Sequence, residues 1–287
     1  MHHPPVIILC GGLGLRLRSS PDAPPKALAP IGGMPVLWHV MHIYARHGVR
    51  DFILALGHRS NDIIAWFEAL LRGGRDMTVD FAYPDRRVLH DLTWGDGSAP
   101  SPHRPSMTDE GVHPPMRDWR VTFVETGEHT MTGGRLRRVL PYLRGDRAHV
   151  TYADGLSDVA IPDIVAHHDS LGVAATLLAV QPPTTFGMIE HTDGIASAFR
   201  EKPRSHCCIN GGFLVVERAV LERCTDDTCV FEEDVLPALA REGSLGVYQY
   251  DGYWQCLDTP KDAVELNRLW EAGRAPWLPM GQDPKKE

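Results

Sequence analysis

The sequence predicts an α/β fold in which a Rossmann-like sheet, mixed but mostly parallel, is covered by helices. Two observations predict it. Short apolar runs, such as residues 6–9 and 51–57, alternate along the chain with longer segments whose apolar residues recur at helical spacing. This interleaving of helices with apolar strands is typical of a sheet whose two faces are both covered.

The predicted elements follow one another in a regular order. Strands are predicted over residues 6–9, 51–57, 77–83, 119–125, 148–153, 173–180, 195–200 and 213–216. Helices are predicted over 36–47, 61–72, 133–143 and 161–171, with a further amphipathic helix opening at 231. Gly48 is the stop signal of the first helix. Thr259 is the expected N-cap of a last helix, which has Pro260 in its first turn and runs to about residue 272.

The chain of 287 residues, 43% of them hydrophobic, can bury a sizeable core, and we expect a single domain over residues 1–287. A C-terminal helical extension covers about 259–287, and its tail after Gly273 is expected to be peripheral. Between residues 84 and 118 the apolar pattern gives way to proline, glycine, serine, histidine and aspartate, which predicts a long flexible loop. We interpret this loop as a flap or a subunit contact around a disordered tip.

Bulk properties argue against several classes of protein. A formal net charge of −8 disfavours a nucleic-acid scaffold, although it permits a small anionic ligand in a local basic pocket. The chain has no apolar stretch long enough to span a bilayer and no signal-peptide pattern, so we expect a cytoplasmic protein with no membrane partner. The six cysteines are expected to be free thiols, and their spacing does not match that of structural zinc sites.

A glycine-rich loop follows the first predicted strand. Its glycines let the chain turn and expose backbone N–H groups that can hold phosphate oxygens, while Arg16 and Lys26 add positive charge. The loop matches neither the Walker pattern nor the dinucleotide-binding fingerprint, and alone it is equally consistent with an ordinary turn. The candidate nucleotide-binding residues of this region are Leu9, Gly11, Gly12, Gly14, Leu15, Arg16 and Lys26.

Two aspartates are candidate metal ligands. Asp154 follows a predicted strand, at the edge where open α/β sheets bind ligands, and Asp258 immediately precedes the last helix. If the fold brings them together, two carboxylates with substrate phosphate oxygens and waters suffice to bind Mg²⁺. Each residue also has an ordinary structural explanation, Asp154 as part of an Asp-Gly turn and Asp258 as an extra helix cap.

Further candidates lie in the C-terminal half of the chain. Lys202 comes just past a strand end, where its ammonium can meet a second phosphate, although a solvated surface lysine is the plainer interpretation. Asn210 and Gly211 adjoin another strand, which indicates either a close backbone approach to a ligand or a bulge. Glu232 belongs to an acidic run at a helix start, where acids also stabilise the helix dipole.

In this order, the motifs resemble those of the sugar-1-phosphate nucleotidyltransferases, most closely the glucose-1-phosphate cytidylyltransferases. The resemblance covers nearly the whole chain. It rests on the segments at 11–17, 31–39, 126–136, 151–155, 201–203, 209–213 and 254–259. The stretch Met-Thr-Gly-Gly-Arg-Leu at 131–136 favours the cytidylyl branch, because thymidylyl and uridylyl relatives carry a different small-residue motif there.

The resemblance implies a GT-A-like nucleotidyltransferase fold and a Mg²⁺-dependent, in-line attack by a sugar 1-phosphate on the α-phosphorus of CTP. The implied acceptor is α-D-glucose 1-phosphate, and the implied products are a CDP-sugar and pyrophosphate. It also implies a homo-oligomer, either a trimer or a hexamer, with sites near subunit boundaries.

The same resemblance implies a role for each candidate residue. The catalytic set is Arg16, Lys26, Asp154, Lys202 and Asp258. Within it, the two aspartates bind Mg²⁺, the first two residues contact the triphosphate, and Lys202 receives the sugar phosphate. The cytosine and ribose side is lined by Thr132, Gly133 and Gly134, and the sugar is faced by Asn210, Gly211 and Glu232.

Three departures from the family pattern keep other functions open. Leu15 stands where threonine is usual, Pro24 replaces the first lysine of a Lys-Pro-Lys-Pro stretch, and the segment around 95–115 is enlarged. These departures leave open a different nucleotide or another sugar or cyclitol phosphate. A non-catalytic nucleotide-sugar sensor of the same fold and a nucleotide-sugar-dependent glycosyltransferase are two further alternatives.

Overall fold

The computed structural model describes residues 3–12, 24–72, 119–184, 186–201, 203–204 and 207–278. The predicted strand over 77–83 and the predicted loop over 84–118 lie outside these residues. Four candidate site residues also lie outside them, namely Gly14, Leu15, Arg16 and Lys202.

The described residues form strands and helices in the following order. The strands are β1 (Val6–Leu9), β2 (Pro30–Ile31), β3 (Met34–Pro35), β4 (Asp51–Leu56), β5 (Arg120–Glu125), β6 (Arg147–Tyr152), β7 (Gly155–Ser157), β8 (Ala175–Val180), β9 (Met188–Thr192), β10 (Ile195–Arg200), β11 (Ile209–Asn210), β12 (Leu214–Glu217), β13 (Leu245–Tyr250) and β14 (Trp254–Cys256). The α-helices are α1 (Val36–Ala45), α2 (Ser60–Arg72), α3 (Thr132–Val139), α4 (Ile161–Leu171), α5 (Arg218–Leu221), α6 (Leu236–Arg241) and α7 (Pro260–Glu271).

The predicted elements that fall on described residues are present, with ends that differ by a few residues. The largest shift is in the helix predicted over 133–143, which ends as an α-helix at Val139 and continues as a 3₁₀ turn over Leu140–Tyr142. Pro141 explains the change, since proline cannot donate the next helical hydrogen bond. The helix predicted to open at 231 begins instead with a π-helical turn over Phe231–Val235.

The central sheet is mixed, as predicted. Its order runs β13, β8, β12, β6, β1, β4, β5, with β11 pairing the far end of β8 beside β12. The pairs β6–β1, β1–β4, β4–β5 and β8–β13 are parallel, whereas β12 runs antiparallel to β6 and β8. The carboxyl ends of β1, β4, β5 and β6 therefore meet at one edge of the sheet, where open α/β sheets bind ligands.

Apolar side chains cover both faces of the sheet. Neighbouring residues of β1 belong to different clusters, Val6 and Ile8 to one face and Ile7 and Leu9 to the other, because successive side chains of a strand point in opposite directions. The first cluster joins the sheet to α1, α2, α4 and α7, and the second joins it to α3, α5 and α6. This burial on both sides explains the nearly continuous apolar sequence of the central strands.

The described part of the C-terminal tail, residues 274–278, packs into the core, so the expectation that the tail is peripheral directly after Gly273 is wrong for these residues. The Trp277 side chain is fully buried, and its indole Nε1 donates a hydrogen bond to His39 Nδ1 at 3.1 Å. Sequence inspection missed this because Trp277 is an isolated aromatic in a segment rich in proline and glycine, which carries no periodic pattern.

The last helix packs on the turn between β2 and β3. Thr259 is its N-cap, as predicted, and forms a capping box with Asp262. The Asn267 amide of this helix bonds to the backbone of both Gly32 and Pro30. A Cβ atom on Gly32, where φ is +58°, would lie 2.0 Å from the Trp270 indole, so this glycine is required for the helix to pack.

Strands β9 and β10 form a separate antiparallel hairpin, so the strand predicted over 195–200 exists but does not join the central sheet. Large apolar side chains of this hairpin are exposed, among them Ile189, Ile195 and Phe199. None of the helices in the described part of the chain is long and apolar enough to cross a membrane.

Candidate active site

A cleft of about 390 Å³ opens at the edge of the sheet where β6 ends. Six of the predicted site residues line it: Lys26, Asp154, Asn210, Gly211, Glu232 and Asp258. A larger cleft, of about 540 Å³, is lined by residues such as Arg223, Asp226 and Glu242 and by none of the candidates that the structure describes. The smaller cleft is therefore the candidate active site, because the predicted chemistry converges there.

At the centre of this cleft one ammonium bridges two carboxylates. Lys26 Nζ lies 2.6 Å from Asp154 Oδ2 and 2.6 Å from Asp258 Oδ1. The three side chains are largely buried, with exposed fractions of 16%, 24% and 31% respectively. Burial acts to lower the pKa of Lys26, but the charge of Asp154 and the hydrogen bonds to both carboxylates outweigh it and raise the pKa. The lysine therefore stays positively charged at neutral pH.

Strand pairing places the two aspartates side by side. Asp154 lies in the short turn between β6 and β7, and Asp258 lies between β14 and α7. Strands β7 and β14 pair antiparallel, with Gly155 opposite Cys256. The Leu257 N–H adds a hydrogen bond of 2.9 Å to the Asp154 carbonyl oxygen. The pairing of two distant strands thus brings together two residues that are far apart in sequence.

The capping box of α7 fixes the backbone at Asp258. The Asp262 carboxylate accepts hydrogen bonds from the N–H groups of Asp258, at 3.1 Å, and Thr259, at 2.7 Å. Because Thr259 is the cap of the helix, the Asp258 carboxylate is not needed for capping and instead bonds to Lys26. The interpretation of Asp258 as an extra cap is therefore not the one the structure favours.

Cys256 also belongs to this cluster, and sequence analysis assigned it no role. Asp154, Cys256 and Asp258 each present a ligand atom, and these three atoms all lie within 4.8 Å of one another. Burial, with a further contribution from the charge of Asp154, raises the pKa of the thiol well above its usual range. The only signal in the sequence was its position, two residues before Asp258.

The donor set fits a divalent cation. Two carboxylates lie on either side of a position that the Lys26 ammonium occupies, so this position already accepts a cation. Oxygen ligands of this type suit Mg²⁺, which takes one or two protein carboxylates and completes its shell with water and substrate phosphate. Asp154 and Asp258 could therefore hold a divalent metal ion.

A second group of polar side chains is centred on Glu232, which lines the cleft together with Tyr152 and Asn210. The Tyr152 hydroxyl donates a hydrogen bond to Glu232, and the Thr132 hydroxyl donates to Glu232 Oε2 at 2.5 Å. Asn210 Nδ2 lies 3.4 Å from the Tyr152 hydroxyl oxygen. Burial first, and then the neighbouring Glu232 charge, raise the pKa of Tyr152 well above its usual range, so it remains a neutral donor. The role of Tyr152 was not predicted, because in the sequence it is indistinguishable from an ordinary strand residue.

The glycines at the start of α3 permit close packing rather than line the cleft. A Cβ atom on Gly133 would lie 2.4 Å from Cys229 Sγ, and one on Gly134 would lie 2.7 Å from Asp227 Cα. The Gly133 N–H also donates to the Cys229 carbonyl oxygen at 2.9 Å. Both glycines are buried, and their role on the cytosine side stays a prediction.

Arg135 connects the loops that surround β1, and it was not among the predicted site residues. Its side chain is only 5% exposed. Its guanidinium donates to the Thr126 hydroxyl and to the carbonyl oxygens of Gly11, Leu56, Gly127 and Glu128. Cβ atoms on Gly11 and Gly57 would lie 2.1 Å and 2.3 Å from this guanidinium. These two glycines therefore leave room for a buried cation beside Gly11, the first glycine of the predicted phosphate loop.

Comparison with known proteins gives the family. A model of the MobA-like NTP transferase domain matches residues 6–100. The glucose-1-phosphate cytidylyltransferase of Salmonella typhimurium is 37% identical over 273 residues, which cover 94% of this chain and 97% of that protein. A Bacillus subtilis protein named "Probable glucose-1-phosphate cytidylyltransferase" is 34% identical, with coverage of 94% and 98%.

Solved structures share the fold. HddC from Yersinia pseudotuberculosis superposes with a TM-score of 0.64 at 20% identity, over 93% of this chain and 100% of that one. The inositol-1-phosphate CTP transferase from T. maritima superposes with a TM-score of 0.58 at 15% identity, over 93% and 96%. At these identities the structures establish only the fold, whereas the sequence relatives establish the family. This chain belongs to the glucose-1-phosphate cytidylyltransferase family of nucleotidyltransferases.

Proposed function

We propose that the protein transfers the cytidylyl group of CTP to a sugar 1-phosphate, with α-D-glucose 1-phosphate as the acceptor. The observation that carries the proposal is the convergence of Lys26, Asp154 and Asp258 in one cleft. The Lys26 ammonium lies 2.6 Å from a carboxylate oxygen of each aspartate. The similarity to cytidylyltransferases over 94% of the chain supports the choice of nucleotide and sugar.

The reaction needs positioning and charge stabilisation rather than a protein nucleophile. An oxygen of the sugar phosphate attacks the α-phosphorus of CTP and forms a new P–O bond. The bond from the α-phosphorus to the oxygen that links it to the β-phosphorus breaks, and that oxygen leaves with pyrophosphate. The attacking phosphate is already anionic near neutral pH, so no general base is required. Groups that stabilise negative charge on the transferring phosphoryl group then supply most of the rate enhancement.

The carboxylates of Asp154 and Asp258 are the proposed Mg²⁺ ligands. Bound there, Mg²⁺ would supply positive charge to the triphosphate oxygens. Lys26 takes phosphate oxygens as partners when the nucleotide enters, in place of the two carboxylates it contacts in the structure. Burial acts to lower the pKa of Lys26, but the charge of Asp154 and the hydrogen bonds to both carboxylates raise it, so the lysine brings a full positive charge to the triphosphate.

The polar group around Glu232 is the proposed sugar side of the cleft. Glu232 is held by two hydroxyl groups, and the Asn210 side-chain oxygen accepts from the Gly212 N–H at 2.9 Å, so both side chains have defined orientations. Fixed polar groups of this kind can distinguish sugars, because a sugar whose hydroxyl is misplaced leaves the polar groups of the site without hydrogen-bond partners. We further propose that Arg16 contacts the triphosphate, that Lys202 contacts the sugar phosphate, and that the protein is a homo-oligomer.

Pyrophosphate release with Mg²⁺ and α-D-glucose 1-phosphate tests the proposal when CTP, UTP, dTTP, ATP and GTP are compared in parallel. We expect release with CTP at a kcat/KM at least about 100-fold above that with any other nucleotide, as expected where buried polar groups read the base. Preference for another nucleotide would support the broader nucleotidyltransferase alternative. Tight CTP binding without turnover on any sugar or cyclitol phosphate would support a sensor.

A further inference from the structure

We propose that Cys256 is a third metal ligand in the active-site cleft, and that it gives the Asp154 and Asp258 carboxylates selective affinity for thiophilic divalent ions such as Co²⁺, Zn²⁺ and Cd²⁺. The inference rests on the proposed use of the two carboxylates as Mg²⁺ ligands. It adds a second class of metal that competes for the same position.

The first support is the fixed position of the sulfur. Cys256 ends β14, and its backbone pairs with Gly155 of β7, directly after Asp154. Its Sγ atom and one oxygen of each carboxylate lie within 4.8 Å of one another. No other group of three histidine, cysteine or acidic side chains in the described part of the chain meets the same distance limit.

The second support is that a cation already stands among these ligands. Lys26 Nζ lies 2.6 Å from an oxygen of each aspartate, so the cluster holds positive charge at the point where an ion would bind. Around a tetrahedral zinc ion, bond lengths of about 2.0–2.3 Å place ligand atoms roughly 3.5 Å apart. The present separations of up to 4.8 Å need only small side-chain rotations to reach that spacing.

Ligand chemistry then separates the two classes of ion. Mg²⁺ prefers oxygen and keeps several waters, so it uses the two carboxylates and leaves the sulfur unbound. Co²⁺, Zn²⁺ and Cd²⁺ bind thiolate strongly, and such an ion would use all three side chains while the thiol proton passes to solvent. The protein therefore offers two ligands to Mg²⁺ and three to a thiophilic ion.

Titration of the purified full-length protein with Co²⁺, without nucleotide, tests the inference independently of turnover. A thiolate bound to Co²⁺ gives a near-ultraviolet charge-transfer band, which carboxylates do not give. We expect one such band in the wild-type protein, and its loss in Cys256→Ser and Cys256→Ala. The matched control is the double variant Cys207→Ser/Cys208→Ser, whose two thiols are exposed and lie outside the cleft, and which should keep the band.

Affinity measurements complete the test. Competition against a chromophoric chelator should show that Cys256→Ser binds Zn²⁺ at least about tenfold more weakly than wild type, as for loss of a metal contact. Mg²⁺ affinity should change by less than about twofold, because Mg²⁺ does not use the sulfur. Unchanged Zn²⁺ affinity, or a cobalt band that survives in Cys256→Ser but disappears in the Cys207/Cys208 control, would overturn the inference.

The outcome is distinguishable from failure of the proposed function. A cobalt band that depends on Cys256, in a protein that forms no pyrophosphate with any substrate pair, would support the metal site and contradict the transferase assignment. Cytidylyl transfer with Mg²⁺ in a protein that shows no such band would leave the function intact and contradict the third ligand.

Discussion

Lys26 and Asp258 are 232 residues apart in the sequence, yet the lysine ammonium lies 2.6 Å from the aspartate carboxylate. The contact joins the 3₁₀ turn Lys26–Leu28 to the segment just before the last helix, and Asp154, from the middle of the chain, lies 2.6 Å from the same ammonium. A cluster assembled from three distant segments is characteristic of a site rather than of local structure, because local structure needs no such convergence.

Replacement of Lys26 should remove a positive charge that is proposed to stabilise the triphosphate of CTP. We expect Lys26→Met to lower kcat/KM for CTP by at least about 100-fold, as when a group that stabilises developing negative charge is lost. Lys261→Met, at an exposed position in α7, is the matched control and should retain wild-type kinetics. Steady-state kinetics with saturating sugar phosphate make the comparison, and equal kinetics for both variants would contradict the role of Lys26.

The two aspartates should act as one unit. Asp154→Asn and Asp258→Asn should each reduce Mg²⁺-dependent turnover by about 1,000-fold, and the double variant should be little worse, because residues of one catalytic cluster are not additive. Asp163→Asn, an exposed aspartate in the first turn of α4, serves as the control. Wild-type rates in either single variant, with the far-ultraviolet circular dichroism unchanged, would remove that residue from the metal site.

Arg135 and Gly57 should be energetically coupled. In wild type, Gly57→Ala forces a Cβ atom to within 2.3 Å of the guanidinium, and we expect a loss of about 1–3 kcal/mol in the free energy of unfolding. In an Arg135→Ala background the same substitution meets no guanidinium, so its cost should fall by at least about 1 kcal/mol.

Urea unfolding of the four proteins measures this coupling. The control cycle uses Gly12→Ala, because a Cβ atom at Gly12 has no neighbour within 4 Å among the residues that the structure describes. That substitution should be additive with Arg135→Ala to within about 0.5 kcal/mol. If Gly57→Ala were also additive with Arg135→Ala, the Arg135 guanidinium would not lie against Gly57.

Stability should fall in mild acid because of His149. Its side chain is 2% exposed, and burial, with smaller effects from the charges of His3, Arg147 and His168, lowers its pKa from 6.5 to about 3. Between these values the unfolded chain binds a proton that the folded protein does not. The free energy of unfolding therefore decreases as the pH falls, by about 1.4 kcal/mol per pH unit.

The variant His149→Gln removes this contribution. Between pH 7.5 and pH 5, the decrease in unfolding free energy should be smaller in His149→Gln than in wild type by about 2 kcal/mol. His191→Gln, on the exposed hairpin strand β9, should keep the wild-type pH dependence. Denaturant unfolding at both pH values provides the measurement, and an identical pH dependence in wild type and His149→Gln would refute the assignment.

Local patterns were sufficient to predict the sheet and most helices. The apolar run at Val6–Leu9 and the capping signal at Thr259 depend on neighbouring residues alone, and both are confirmed. The mixed character of the sheet was also predicted, but the exact strand order was not, since it depends on which distant strands pair. The burial of Trp277 was not predicted, because one aromatic in an irregular tail gives no periodic signal.

Most residues of the candidate site were predicted from the sequence, but the contacts between them were not. Lys26 was expected to meet the triphosphate, and its bridge between Asp154 and Asp258 could not be predicted because strand pairing, not sequence spacing, creates it. Arg135 and Tyr152 were missed for a different reason. Their positions are determined by hydrogen bonds to distant groups, and a linear motif does not record those bonds.

The most direct test of cytidylyl transfer is ³¹P NMR of a mixture of the protein, Mg²⁺, CTP and α-D-glucose 1-phosphate. The proposed chemistry predicts that a CDP-sugar and pyrophosphate appear in equal amounts as both substrates disappear, and that Asp154→Asn forms neither. Formation of CMP and pyrophosphate without a CDP-sugar would mean hydrolysis rather than transfer and would contradict the central claim, as would unchanged substrates under conditions where CTP is bound.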